Sequence, residues 1–162
     1  MPSLAQMKNI RMMSILSDDM LNRILPLITE ESYAAEQEIF CEGDPADAVY
    51  VLVKGKALLN KSASNSVCVA VSAVDPGDAF GWSAILGRCI YSATATCVEE
   101  SLLWRMPGKA LLDLLNEDPV MGHKVMEFLA QTLNERLEKR TTQLFKTLLE
   151  HIEMVCGLEG AN

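Results

Sequence analysis

The chain has 162 residues, of which 49% are hydrophobic and 22% charged. That is ordinary globular usage, which excludes a disordered chain, and the length suits one domain over 1–162 while being cramped for two. A net charge of −8 argues against a nucleic-acid partner, and no apolar run reaches the ~18 residues that cross a bilayer, so a cytoplasmic protein without a membrane partner is expected.

Residues 1–30 read as short helices. Ser17 is placed to cap a helix whose first turn carries Asp18 and Asp19; Met20, Leu21, Ile24 and Leu25 follow at helical spacing, and Pro26 ends or kinks it. From Ser32 the texture changes to the β-prone runs EIF, VYVLVKG, KALLNK, VCVAVSAV, SATATCV and SLLWRM. Turn signals separate them: EGDPAD, KGK, SASNS, DPGD and VEES. Short strands at about ten-residue spacing across 31–107 predict a barrel, roll or sandwich and not βαβ units. Within this region Phe80 to Tyr91, FGWSAILGRCIY, reads as a turn into a short apolar helical segment and a loop. The start of such a helix is a place to hold an anion.

Residues 108–157 turn helical again. KALLDLLNED predicts a short amphipathic helix, and Asp118-Pro119 supplies an N-cap and the proline favoured at the first helical position of a second one. That helix runs for about 36 residues, or about 54 Å. Arg136, Lys139 and Arg140 alternate with Glu135 and Glu138, which makes a salt-bridged face and not a basic patch. Its far half carries Leu137, Leu144, Phe145, Leu148, Leu149, Ile152 and Val155. An apolar stripe that outruns a small β-domain calls for a partner, and the simplest is the same helix of a second copy. A homodimer through Leu137, Leu144, Leu148 and Ile152 is expected; the competing reading folds the helix back on the N-terminal helices.

Enzyme signatures are missing: there is no GxSxG elbow, Walker A loop or dinucleotide fingerprint. A metal-dependent β-roll needs imidazoles among its strands, whereas His123 and His151 both fall on the final helix, so no metal and no cofactor are expected. Cys41, Cys68, Cys89, Cys97 and Cys156 are odd in number and form no CxxC pair, which points to reduced thiols.

The runs IFCEGDPADAVYVLVKGKALL and DPGDAFGWSAIL, a strand after them and a long terminal helix resemble the cyclic-nucleotide-binding domain family. That family is known from bacterial catabolite-activator-type regulators and from the regulatory subunits of cyclic-AMP-dependent kinase. The resemblance runs from about Ser32 to Arg140. It is most specific at Glu42-Gly43-Asp44, at Tyr50-x-x-x-x-Gly55 and at Pro76-Gly77-Asp78-x-Phe80-Gly81. It implies a mainly β fold with flanking helices: an eight-stranded antiparallel β-roll (a jelly roll, or double-stranded β-helix), N-terminal helices and a long C-terminal dimerisation helix.

The resemblance also implies a ligand site. In the family, a phosphate-binding cassette of the type F-G-E-L-A, a loop, then R-A-A-T or R-S-A binds the cyclic phosphate through helix N–H groups and the Arg, while the Glu accepts from the ribose 2′-hydroxyl. Here the cassette falls on Phe80, Gly81, Trp82, Ser83, Ala84, Arg88, Tyr91, Ser92 and Ala93, with Trp82 at the Glu position and Tyr91 at the Arg position. Charge-assisted bonds of this kind contribute roughly 1.5–3 kcal/mol each, so losing both anchors weakens binding by about 4 kcal/mol, roughly a thousandfold.

What is expected is therefore a non-enzymatic, ligand-sensing regulatory module that does not take cyclic AMP or GMP in the usual way. Its pocket is filled or reshaped, with Trp82 and Tyr91 stacked as a pair or walling a less charged ligand. The effector is a small molecule or a protein partner, and the signal leaves through the long helix. Three alternatives stand beside it: a cyclic-nucleotide receptor that uses Arg88 and Ser83, a haem or redox sensor, and a purely structural dimerisation module. Only a few residues follow the long helix, where catabolite-activator-type regulators carry a helix-turn-helix, so no DNA-reading element is expected.

Overall fold

The computed structural model describes residues 2–64 and 67–159, without the side chains of 63, 64, 67, 151 and 153–159. The expectations for the side chains of His151, Val155 and Cys156 lie outside the described residues. Two compact units are formed, Met1–Val125 and Met126–Asn162.

The first unit opens with three short helices, α1 (Leu4–Lys8), α2 (Arg11–Ser14) and α3 (Asp18–Ile24). Ser3 and Gln6 form a reciprocal capping box on α1, and Ser17 Oγ accepts from the Met20 N–H at 3.3 Å on α3, where Asp18 and Asp19 occupy the positive end. Pro26 lies in a 3-10 turn, Leu25–Leu27, that ends the helical segment. Met7, Met12, Met13, Leu21 and Ile24 are fully buried, each contributing roughly 1.5–3 kcal/mol.

Among the described residues eight strands follow. They are β1 (Thr29–Tyr33), β2 (Glu38–Phe40), β3 (Ala48–Lys54), β4 (Ala57–Ser64), β5 (Val67–Val74), β6 (Ala79–Phe80), β7 (Thr94–Cys97) and β8 (Ser101–Pro107). They make two four-stranded sheets, β1-β8-β3-β6 and β2-β7-β4-β5, with antiparallel pairing throughout. The molecule is mainly β with flanking helices, as the sequence implies. One strand is unexpected: β1 begins at Thr29, ahead of the change in texture at Ser32. TEESY shows no apolar alternation, because it is an edge strand fixed by its register with β8, Thr29 opposite Arg105 through Tyr33 opposite Ser101.

β3 is central and buried on both faces, which explains the nearly continuous apolar run AVYVLV. Tyr50 and Leu52 enter the core shared with Phe40, Phe80, Ala95 and Leu103. Val49 and Val51 stand opposite Met106 and Trp104 of β8 on the other face, and α4 (Gly108–Glu117) contacts both strands. Gly108, at the start of α4, lets residue 84 pack close, since a Cβ there would lie 2.6 Å from that of Ala84.

Asp118 is the corner between α4 and α5 (Pro119–Glu159), the latter 41 residues long where about 36 are expected. Its Oδ1 accepts from the Met121 N–H at 3.0 Å, and its Oδ2 takes Arg23 Nη1 of α3 at 3.0 Å. The helix therefore starts firmly within the first unit, where Met121 and Val125 are buried. In the second unit Leu137, Leu144, Phe145, Leu148, Leu149 and Ile152 are all exposed, Leu137 at 63% and Phe145 at 62%. Among the described residues no helix is long and apolar enough to cross a membrane.

Candidate functional site

The cassette residues lie between β6 and β7. Phe80 ends β6 in the core, fully buried. Gly81 follows at φ +79°, and a Cβ at this position would stand 2.9 Å from the Ala48 carbonyl oxygen and 3.3 Å from the Tyr50 ring. Only glycine meets both demands. The expected short helix is a single 3-10 turn, Trp82–Ala84, whose three residues align too few peptide units to build a dipole of any size. Leu86 through Ile90, with Arg88 among them, form an exposed loop; Ser92 is exposed, while Ser83, Ala84 and Ala93 are half-buried.

Trp82 and Tyr91 do not stack on each other as expected. Trp82 is 5% exposed and donates its indole N–H to the Ala79 carbonyl at 3.1 Å, folding back onto its own strand. Tyr91 is 2% exposed and lies face to face with Phe40, with ring centroids 3.7 Å apart and planes 14° from parallel. Phe40 in turn approaches Tyr50 at 5.7 Å and Phe80 at 6.0 Å, so the interior beside the cassette is occupied by rings. Contacts of this kind add about 0.5–1.5 kcal/mol per pair to the burial of the rings.

The Tyr91 hydroxyl completes the arrangement. It donates to the Ala48 carbonyl at 2.8 Å and accepts from the Ala48 N–H at 3.1 Å. Asp47 Oδ1, at 3.3 Å, is a second acceptor for its one proton. Burial pushes this phenol well above its ordinary range, the Ala48 amide opposes the shift in part, and neighbouring Tyr50 and Asp47 add to it. The main chain around Tyr91 is also strapped to the preceding Glu42-Gly43-Asp44 turn: its N–H reaches the Asp44 carbonyl at 2.9 Å, and its own carbonyl accepts from Gly43 at 3.0 Å.

Asp47 connects the cassette to the rest of the roll. Its Oδ2 pairs with Arg105 Nη2 at 2.6 Å and its carbonyl accepts from Gly108 at the start of α4 at 2.7 Å. Arg105 stands opposite Tyr50 in the β3–β8 register and also faces Glu31 of β1 at 4.0 Å, while Glu31 accepts the Tyr33 hydroxyl at 2.7 Å. Burial alone would lower the Arg105 guanidinium, but the Tyr50 hydroxyl and the Asp47 and Glu31 charges outweigh it and hold it up. Sequence reasoning missed Phe40, Asp47, Ala48 and Arg105. Arg105 alone carried a signal, since strand alternation in SLLWRM puts it in phase with the core residue Leu103.

The four described cysteines are free, and no group of three or more His, Cys, Asp or Glu able to hold a metal occurs among the described residues. Cys97 is a buried core thiol whose pKa burial raises.

Comparison with known proteins places this geometry. A protein of the NTE family from Mycobacterium tuberculosis, Rv2565, named as uncharacterized, is 20% identical over 85% of this chain and 23% of its own length. The cyclic AMP receptor protein of Thermus thermophilus is 28% identical over 64% of this chain and 48% of its own length. The chain thus spans about a quarter of the one relative and about half of the other. Among solved structures, a cyclic nucleotide-binding domain from Methylobacillus flagellatus superposes with a TM-score of 0.76 at 19% identity, covering 89% of this chain and 81% of that one, a likeness of fold. The profile of the family described as cyclic nucleotide-binding domain matches residues 30–118, from β1 through the whole cassette to the end of α4. The chain belongs to the cyclic nucleotide-binding domain family.

Proposed function

We propose that this chain is a non-enzymatic regulatory module of the cytoplasm whose cassette does not take cyclic AMP or GMP in the usual way. It answers instead to another small molecule or to a protein partner, and it signals through α5 as the dimerisation helix of a jelly-roll domain. The observation that carries this reading is the Tyr91 phenol. It fills the anchor position with a ring stacked on Phe40 and engages both the amide and the carbonyl of Ala48. A phosphate arriving there finds no positive charge from residue 91 and must displace a buried ring. Trp82, folded onto Ala79, offers no carboxylate to a ribose. In the loop, Arg88 is exposed, which favours its being a solvated side chain over a second anchor.

The dimer rests on α5. Leu137, Leu144, Leu148 and Ile152 recur at intervals of seven, four and four residues and share one stripe of the helix, all exposed. Such an exposed apolar stripe is covered most simply by its own copy.

Isothermal titration with cyclic AMP and cyclic GMP tests the cassette. No binding is expected up to about millimolar nucleotide, given the loss of roughly a thousandfold when both anchors go. Micromolar binding would sink the reading, and its abolition by Arg88→Ala would assign the site to that arginine.

A further inference from the structure

The peptide unit that joins Asp47 to Ala48 is held from both sides. Its N–H, on Ala48, donates to the Tyr91 hydroxyl at 3.1 Å, and its carbonyl, on Asp47, accepts from the Gly108 N–H at 2.7 Å. In a trans peptide these two groups point in opposite directions, so one planar unit stands between the cassette and the first residue of α4. Hydrogen bonds made end to end in this way polarise one another, and a peptide whose N–H is engaged presents a stronger carbonyl. The start of α4 depends on that carbonyl. Pro107 stands opposite Ala48 in the β3–β8 register, has no N–H to give, and lends α4 no side-chain cap. Among the first-turn N–H groups that a helix cannot satisfy by itself, the one on Gly108 is taken by Asp47. The cassette also reaches this point by packing, since Ala84, the last residue of its 3-10 turn, lies where a Cβ on Gly108 would fall 2.6 Å from its own.

We infer that the 47–48 peptide relays the state of residue 91 to the start of α4. With the Tyr91 hydroxyl in place the Ala48 N–H is engaged, the Asp47 carbonyl is strengthened and the first turn of α4 is fastened. A small molecule or protein segment that displaces the ring frees that N–H, weakens the carbonyl and loosens the helix from which α5 continues. The relay rests on the reading of Tyr91 as the group that fills the cassette, and it gives that site a route outward through main chain instead of charge. The Asp47 carboxylate is not the carrier. Its Oδ2 is paired with Arg105 at 2.6 Å, and its Oδ1, 3.3 Å from the Tyr91 hydroxyl, lies farther off than the Ala48 carbonyl at 2.8 Å.

Amide hydrogen exchange of the full chain, read by NMR at Gly108 and at Asp118, tests the relay. The two N–H groups mark opposite ends of α4, and that of Asp118 donates to the Leu114 carbonyl at 3.2 Å. Tyr91→Phe keeps the ring and removes the hydroxyl, so exchange at Gly108 rises by about threefold or more beyond any rise at Asp118. An equal rise at both amides, or none at Gly108, overturns the proposal, because a loss of global stability alone acts on the whole helix. Asp47→Asn keeps the peptide and removes the charge, and it leaves exchange at Gly108 close to that of the wild type. A rise there matching that of Tyr91→Phe would assign the coupling to the carboxylate and refute the peptide route. Exchange is measured without nucleotide, so failure here is distinct from micromolar nucleotide binding, which sinks the cassette reading itself.

Discussion

Tyr91 and Leu144 are both large side chains with apolar bodies, and the fold treats them in opposite ways. Tyr91 is enclosed on every side: Phe40 lies against its face, the Ala48 amide and carbonyl engage its hydroxyl, and its backbone is tied to the Asp44 turn. Leu144 lies with Leu137 and Leu148 on a helix stripe that is more than half exposed at the first two positions. Tyr91 is held by groups of its own chain, whereas the far end of α5 leaves apolar area in water at a cost of about 25 cal/mol per Å2. On the proposed reading the cassette end is finished by its own ring, and the unfinished stripe of α5 is completed by a second chain.

The largest expected effect breaks the finished side. Tyr91→Ala removes a stacked, buried ring, which costs about 3–5 kcal/mol, and orphans the Ala48 amide and carbonyl, adding roughly 1–3 kcal/mol more. That is a large share of the 5–15 kcal/mol that holds a typical domain. Urea unfolding reads it as a steep fall in midpoint. A loss under about 1 kcal/mol would mean that the ring is not a structural filler, and the cassette would have to be regarded as open.

The second test breaks the unfinished side. Leu144→Glu with Leu148→Glu places charges on an already exposed stripe, so the stability of the first unit changes by about 0.5 kcal/mol or less. Self-association through α5 falls by a hundredfold or more, since two carboxylates per chain enter an apolar contact, about 3 kcal/mol. Sedimentation of the two chains side by side decides it, and an unchanged mass would leave the stripe without its proposed role.

How much of this could be read beforehand depended on whether a signal was local. Ser17 with Asp18 and Asp19, Asp118 with Pro119, and the glycines of the strand turns each act within a few residues, and the corresponding caps and turns stand where they were expected. The strand runs were legible through alternation, and β3 through its unbroken apolar run. β1 was not, because TEESY is held by β8, about 70 residues away, and has no periodicity of its own. The family was legible through the resemblance, but the packing around residues 80–93 was not. Trp82 and Tyr91 stand at the two anchor positions of the motif and were expected to pair, yet the ring that Tyr91 meets comes from Phe40 on β2. Nothing local links those residues; the join between β2 and β7 does.

The smallest effect sharpens the comparison by separating ring from hydroxyl. Tyr91→Phe keeps the stack on Phe40 and removes the oxygen that serves Ala48, at a cost of about 1–3 kcal/mol near neutral pH. Its pH dependence carries the finer information. The folded-state pKa of Tyr91 is raised, first by burial, above the unfolded value of about 10. A raised pKa means that the unfolded chain releases the proton first. The contribution of this phenol is therefore fully present below pH about 10 and is lost as pH climbs toward the folded value. Tyr33 and Tyr50 are also raised by burial, Tyr33 with help from the Glu31 carboxylate, so the wild-type chain loses stability in alkali from several sites at once. Removing the one at position 91 leaves the others. The stability gap between wild type and Tyr91→Phe is thus constant from neutral pH to about 9 and narrows above about 10. Denaturant titrations at a series of pH values measure that gap, and one that stays flat into strong alkali would show Tyr91 titrating as freely in the folded chain as in the unfolded one, which its enclosure forbids.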